Sequence, residues 1–221
     1  MKGGISIVDG IFWVLVWFGM MLLYTFLDVA VWRKAAPNIE KFLNIGTIAV
    51  SILLFLQMLS KKTHFEMNLL ANISLPGILA AIGCALSLFL LLDKGLDPAL
   101  EKLFPASEQS YQETLHALGQ TPVITLLQVC ILAPVIEEIL MRGYLLGGLA
   151  PSYGNVVALL GSSFLFALLH FNMVQTLSAF LCGIVLGLLY LQTGSIFCCI
   201  LTHAGYNLIS YITMILPLFR K

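Results

Sequence analysis

The stretch PVITLLQVCILAPVIEEILMRGYLLGGL, residues 122–149, decides the fold class of this chain. Its 28 residues include three charged ones, Glu137, Glu138 and Arg142. A helix of this length rises about 42 Å, more than the ~30 Å apolar core of a bilayer. The stretch therefore predicts a membrane-spanning helix that contains ionisable side chains.

The rest of the chain has the same apolar character. Of its 221 residues 60% are hydrophobic and 10% are charged, and the mean hydropathy is +0.99. Soluble domains have about 25% charged residues, so this chain lacks the polar side chains to cover a soluble fold. The composition excludes a soluble globular protein, a disordered chain and a disulfide-rich secreted domain. Because eleven Lys and Arg balance eleven Asp and Glu, the net charge indicates no nucleic-acid partner.

Seven apolar segments are long enough to cross a bilayer. They predict an all-α, polytopic membrane helical bundle of about seven spans, within a range of six to eight. The predicted spans are 11–32, 43–60, 69–92, 122–149, 154–171, 174–193 and 196–216. We interpret the first as a retained span, because it is longer than the apolar part of a signal peptide and has no clear cleavage site.

The charged residues divide the chain unevenly. Seventeen of the 22 lie in residues 1–121, where we expect them mostly in loops, and three lie in 122–219. The polar segment 93–121 contains a predicted surface helix that begins at Ser107 and ends before Gly119. An outside N-terminus would place seven Lys and Arg inside and three outside, as the positive-inside rule favours. We expect an integral, multi-pass protein of the cell membrane, with the lipid bilayer as a partner.

Ionisable residues inside a bilayer cost about 2.5–3.5 kcal/mol each on insertion scales, so they usually mark a site. In the second half of the chain such polar residues come from three predicted helices: Glu137, Glu138 and Arg142; His170; His203 and Asn207. Residues at i and i+4 share a helix face, so we expect Glu138 to pair with Arg142, and His203 and Asn207 to face one side of their helix. Glu137 points about 100° away from Glu138 and can meet a different partner.

These residues also have a purely structural interpretation. A buried ion pair and interhelical hydrogen bonds from His and Asn are ordinary ways to fix helix packing in membranes. Pro134 lacks an N–H, so we expect it to release the carbonyl of Cys130 and to kink its helix. The five cysteines lie in apolar stretches, where we expect them to act as small hydrophobic side chains.

Three short motifs follow one another on these helices. They are EExxxR at Glu137, Glu138 and Arg142, FxxxH at Phe166 and His170, and HxxxN at His203 and Asn207. In order and approximate separation they resemble the motifs of the CPBP family, which includes the type II CAAX prenyl proteases and the bacterial Abi proteins linked to bacteriocin processing and self-immunity. The resemblance covers about residues 120–210. Met141 stands where many members have Phe.

The resemblance implies an intramembrane endopeptidase that hydrolyses a peptide bond of a membrane-associated or lipophilic peptide or protein, with no metal and no other cofactor. It implies that Glu137 is the general base that activates water, helped by His170, while His203 and Asn207 stabilise the oxyanion. It assigns supporting positions to Glu138, Arg142 and Phe166. We expect one membrane domain over 1–221, with N-terminal spans and the polar loop in 1–121 and the catalytic core in 122–216.

Other mechanisms stay open at the level of sequence. Glu137, His170 and His203 are a possible set of three zinc ligands, although no HExxH motif occurs. A zinc-bound histidine normally also bonds a carboxylate or carbonyl, and Asn207 suits an oxyanion better than zinc. A serine mechanism based on the GxS motif of Gly161-Ser162-Ser163, with His203 as the base, would leave the carboxylate pair without a role. A non-catalytic bacteriocin-immunity or peptide-binding protein, or a proton-coupled transporter, would use the same polar groups without hydrolysis.

Overall fold

The computed structural model describes residues 4–119 and 121–215. Within these ranges the chain forms eight helices and no strand. The helices are α1 (Ile7–Ala35), α2 (Glu40–Thr63), α3 (Leu75–Leu103), α4 (Pro105–Gly119), α5 (Pro122–Tyr153), α6 (Asn155–Leu168), α7 (Met173–Thr193) and α8 (Ile196–Ser210), which a π-helical turn at Tyr211–Ile215 continues. Six of them, all but α4 and α6, are long and apolar enough to cross a bilayer. The predicted all-α, multi-pass membrane fold is confirmed.

Helix α6 is shorter than its predicted span of 154–171. Its 14 residues rise about 21 Å, less than the apolar thickness of a bilayer. The helix ends at Leu168 because the N–H groups of Leu169 and His170 bond carbonyls three residues back, in a tight turn. The Asn172 side chain then accepts two backbone N–H groups and caps α7. His170 therefore lies in the connection after α6 and not within a helix.

The expectation that the charges of the first half lie mostly in loops is wrong. Helices α1 and α3 continue beyond their predicted ends at residues 32 and 92, each through a π-helical turn. A carboxylate is buried at the start of each turn, with Asp28 4% and Asp93 8% exposed. Asp28 pairs with Arg33 at 2.8 Å, and Asp93 accepts hydrogen bonds from two hydroxyls. Because both carboxylates are compensated, the helices tolerate them.

The predicted surface helix is present as α4, two residues longer at its start and ending at Gly119. It is tied to the beginning of α7, where the Asn172 side-chain amide donates to the carbonyl of Ser107 at 2.7 Å. The connection between α3 and α5 therefore contacts the helices of the second half.

The most buried membrane-spanning helices lie in the second half of the chain. In the most apolar window of α5 39% of the residues are buried, and in α7 44%, against 17% in α1 and in α2. The exposed side chains of α1 and α2 are largely apolar, as contact with lipid requires. The first two helices thus expose more of their surface to the bilayer, although Trp17, Phe55 and Leu59 pack into the same core as α5 to α8.

Short turns make α5 to α8 sequential, antiparallel neighbours. Gly154 and Gly194 adopt positive φ angles of +80° and +64°, which glycine tolerates without a steric cost. The Ser195 hydroxyl then accepts the N–H of Cys198 and caps α8. These tight connections bring the polar residues of α5, α8 and the α6–α7 turn into one region.

Candidate active site

Glu138 and Arg142 form the predicted ion pair on α5. Their nearest oxygen and nitrogen are 2.8 Å apart, and the side chains are 0% and 1% exposed. The second guanidinium nitrogen donates to the carbonyl of Gly183 on α7 at 3.0 Å. A Cβ at Gly183 would lie 3.0 Å from the backbone of Ser163, so a glycine allows α7 to approach α6 here. The pair therefore joins α5 to α7 as well as compensating its own charges.

The imidazole of His203 lies between the two adjacent carboxylates. Its Nδ1 is 2.8 Å from Glu138 Oε1, and its Nε2 is 3.8 Å from Glu137 Oε2. The first distance is a hydrogen bond, donated by Nδ1–H to the carboxylate, while the second is too long for one. His203 is 5% exposed, and the Glu137 side chain is 18% exposed. The contact of His203 with Glu138 is not among the sequence predictions, which gave Glu138 one partner, Arg142.

His170 is held beside this cluster by its own backbone turn. Its Nδ1 donates to the carbonyl of Phe166 at 3.1 Å, which leaves Nε2 as an acceptor in the neutral ring. The carbonyl of His170 accepts the hydroxyl of Thr176 on α7. Glu137 interacts electrostatically with both His170 and His203. The α6–α7 turn thus places a second imidazole on the Phe166 ring that His203 also contacts.

Phe166 contacts three members of the cluster with one ring. The Arg142 guanidinium carbon lies 4.8 Å from the ring centroid, in a cation–π arrangement. The rings of His170 and His203 lie edge-on to Phe166, with centroids 5.1 and 5.8 Å away. Because Phe166 is 1% exposed, it fixes the spacing of these groups by packing.

Asn207 uses its side chain on the backbone of α5. Its Nδ2 donates to the carbonyl of Val129 at 2.8 Å, in a π-helical turn whose hydrogen bonds run from residue i to i−5. If the i−5 spacing continued for one more residue, a backbone N–H at position 134 would bond the carbonyl of Val129, but Pro134 has no N–H. The prediction that Pro134 releases the carbonyl of Cys130 assumed α-helical i−4 bonds, whereas the N–H of Ala133 bonds the Gln128 carbonyl five residues back. The amide of Asn207 supplies the donor that the proline lacks.

A second buried carboxylate cluster was missed in the sequence. Asp93 on α3 accepts the hydroxyls of Tyr206 at 2.7 Å and of Ser210 at 2.5 Å, both on α8. Nearby, Ser178 on α7 donates to Asp97. The i,i+4 spacing of Tyr206 and Ser210, one turn after His203, is the signal that could have indicated a polar partner on a neighbouring helix.

The alternative sets of catalytic groups can be located as well. The Ser162 hydroxyl donates within its own helix, to the carbonyl of Leu159. The Ser163 hydroxyl has no hydrogen-bond partner within the described ranges, and His203 faces the two carboxylates. In the same ranges, no group of three His, Cys, Asp or Glu side chains is arranged to hold a metal ion. In both histidines, however, Nδ1 bonds a carbonyl or carboxylate, as is typical of zinc ligands. The sequence-based expectation that such a second hydrogen bond is missing therefore does not count against zinc.

The fold and this cluster define the class of the chain: a multi-pass membrane protein with carboxylates and imidazoles buried between its helices. A family model described as "Type II CAAX prenyl endopeptidase Rce1-like" matches residues 119–209. This match confirms that residues 119–209 resemble a family of CAAX-type membrane proteases. No curated protein and no solved structure gave a match.

Proposed function

We propose that this chain is an intramembrane endopeptidase in which Glu137 activates a water molecule. The observation that carries the proposal is the unequal compensation of two adjacent carboxylates. Glu138 bonds both Arg142 and His203 at 2.8 Å and is fully buried. Glu137 accepts no hydrogen bond from the described residues and retains some exposure. A carboxylate left free beside two imidazoles suits a general base.

The proposed reaction starts with a water held between Glu137 and His170. Nε2 of His170 can accept one O–H of this water, because Nδ1 carries the proton that bonds Phe166. Glu137 takes the other proton while the water oxygen attacks the carbonyl carbon of the peptide bond. The C=O electron pair moves onto the oxygen, and the proton on Glu137 then passes to the leaving nitrogen as the C–N bond breaks.

The proposed oxyanion donors are His203 and Asn207. One N–H of the Asn207 amide is used by Val129, and the other is available. His203 can present an N–H at Nε2 only as the imidazolium, because its Nδ1–H is already donated to Glu138. With His203 charged, the two carboxylates are balanced by two cations. Fixed donors aimed at a developing oxyanion are worth several kcal/mol, roughly 3–4 for one donor.

The experiment is cleavage of a reporter substrate by protein purified in detergent, with Glu137→Gln as the decisive variant. An amide cannot accept the proton, so we expect a loss of about 10²–10⁴-fold. Glu113→Gln, at an exposed position of α4, is the matched control and should retain activity. Full activity in Glu137→Gln would contradict the general-base role. His170→Ala and His203→Ala should also abolish cleavage while leaving membrane insertion intact.

The substrate we propose is a membrane-associated or lipophilic peptide or protein. Cleavage products should be compared in cells that express the wild type and Glu137→Ala, using clients with and without a prenylated cysteine. A non-catalytic immunity or peptide-binding protein would give the same products and the same phenotype with both. Products lost in Glu137→Ala support the protease.

A further inference from the structure

We propose that a phospholipid with a primary-amine headgroup binds in a groove between α1 and α2. The groove has a volume of about 920 Å³ and lies where α1 begins and α2 ends. The lining residues that carry the argument are Asp9, Phe12, Met58, Lys62, Glu66 and Tyr144. The volume falls in the range of small-molecule sites. None of these residues belongs to the candidate active site.

One wall of the groove is apolar and open to the side. Phe12 and Val16 share a face of α1, and Met58 on α2 lies across from them. Phe12 is 56% and Met58 46% exposed, although both belong to membrane-spanning helices. This wall can therefore hold an acyl chain that enters from the bilayer.

The rim of the groove has charges of both signs that do not pair with one another. Asp9, Lys62 and Glu66 form no ion pair with any of the described residues. The Asp9 carboxylate accepts a hydrogen bond from the Ser6 hydroxyl, which in turn accepts the backbone N–H of Asp9. One lysine and two carboxylates complement a zwitterionic headgroup, with the phosphate on Lys62 and the ammonium on the acids. Two acids to one lysine disfavour a purely anionic headgroup.

The third element of the groove is a buried hydroxyl. Tyr144 is 0% exposed, and its hydroxyl has no hydrogen-bond partner within the described part of the chain. It lines the groove, interacts electrostatically with Asp9, and packs its ring against Phe65 with centroids 5.7 Å apart. A buried unpaired hydroxyl is costly, and a lipid ester carbonyl would accept its hydrogen. The charged rim therefore matches the lipid headgroup, the Tyr144 hydroxyl matches the ester carbonyl, and the apolar wall matches the acyl chain.

The experiment is native mass spectrometry and thermal unfolding of the full chain in detergent, with added phosphatidylethanolamine, phosphatidylcholine or phosphatidylglycerol. We expect retention of the ethanolamine lipid and a higher melting temperature with it. Phosphatidylcholine lacks N–H donors, and phosphatidylglycerol lacks a cation, so both should bind more weakly. Equal binding of the three lipids would overturn the proposal.

The variants test the individual contacts. Tyr144→Phe, and separately Asp9→Asn combined with Glu66→Gln, should each weaken binding of the ethanolamine lipid by about tenfold, the effect of one lost hydrogen bond to a charged or buried group. Lys61→Gln is the matched control, because Lys61 is exposed beside Lys62 and does not line the groove. The rim variant is decisive if Tyr144→Phe fails to fold. Wild-type binding in that variant, or displacement of the lipid by an apolar peptide, would overturn the proposal.

Discussion

Two buried carboxylate clusters contact side chains of α8 and are compensated in different ways. Towards α5, Glu138 bonds a guanidinium and an imidazole. Towards α3, Asp93 accepts hydrogen bonds from two hydroxyls, and no cation is paired with it among the residues the structure describes. The first cluster concentrates charges of both signs, and the second holds one charge by neutral donors.

This difference indicates that the α5 cluster is suited to chemistry, whereas the Asp93 cluster holds two helices together. The α5 cluster includes a second carboxylate, Glu137, whose oxygens accept no hydrogen bond from the described residues. Both oxygens of Asp93 are occupied, and its donors Tyr206 and Ser210 follow His203 on the same helix. We infer that Asp93 fixes the rotation of α8, which determines where His203 points.

The largest expected loss of stability comes from Glu138→Ala. The change leaves the buried guanidinium of Arg142 without its partner, which typically costs about 3–5 kcal/mol. Thermal unfolding in detergent and the abundance in membranes should both fall, together with activity. Glu137→Ala is the matched comparison and should lose activity with little change in stability. If the two variants are equally stable and only Glu138→Ala is inactive, the two carboxylates have the opposite roles.

The sequence could predict one cluster and not the other for a physical reason. Carboxylates such as Glu137 and Glu138 are rare in an apolar helix, and the i,i+4 rule indicates the partner of Glu138 on the same helix. A predicted span ends just before Asp93, because a carboxylate without a local partner is not expected inside an apolar helix. The hydroxyl of Tyr206 that compensates it comes from a helix 113 residues further along.

Helix register limited the prediction within the site as well. A period of 3.6 residues assumes an uninterrupted α-helix, but α5 contains π-helical turns before and after Glu138. The contact of His203 with Glu138 also depends on how α8 is rotated against α5. Neither local spacing nor composition determines that rotation. The end of α6 before His170 depends on a tight turn that hydropathy does not detect.

An intermediate loss is expected from Asp93→Asn. The amide is a weaker acceptor for the Tyr206 and Ser210 hydroxyls, and such a change costs about 1–3 kcal/mol. Thermal unfolding measures this cost, and Glu101→Gln further along α3 serves as the control. We also expect kcat to fall more than KM rises, because α8 positions His203. A wild-type melting temperature and kcat in Asp93→Asn would remove Asp93 from this role.

A smaller effect tests the link between Asn207 and Pro134. Asn207→Ala leaves the Val129 carbonyl without its side-chain donor, a loss of about 1 kcal/mol or more. In a Pro134→Ala background the new backbone N–H can bond that carbonyl, so Asn207→Ala should cost less there. The melting temperatures of the wild type, both single variants and the double variant give the coupling. Additivity within about 0.5 kcal/mol would show that the two residues do not share this carbonyl.

The smallest effect we expect is that of metal removal, which should leave activity unchanged. The competing interpretation is a zinc site formed by Glu137, His170 and His203, and the outer hydrogen bonds of both imidazoles are compatible with it. Our prediction rests on the family resemblance and on the roles that a free carboxylate and two imidazoles can fill without a metal. Purified protein should contain substoichiometric zinc and remain active in EDTA. Inhibition by 1,10-phenanthroline that zinc reverses would instead make Glu137 a ligand, or the base for a metal-bound water.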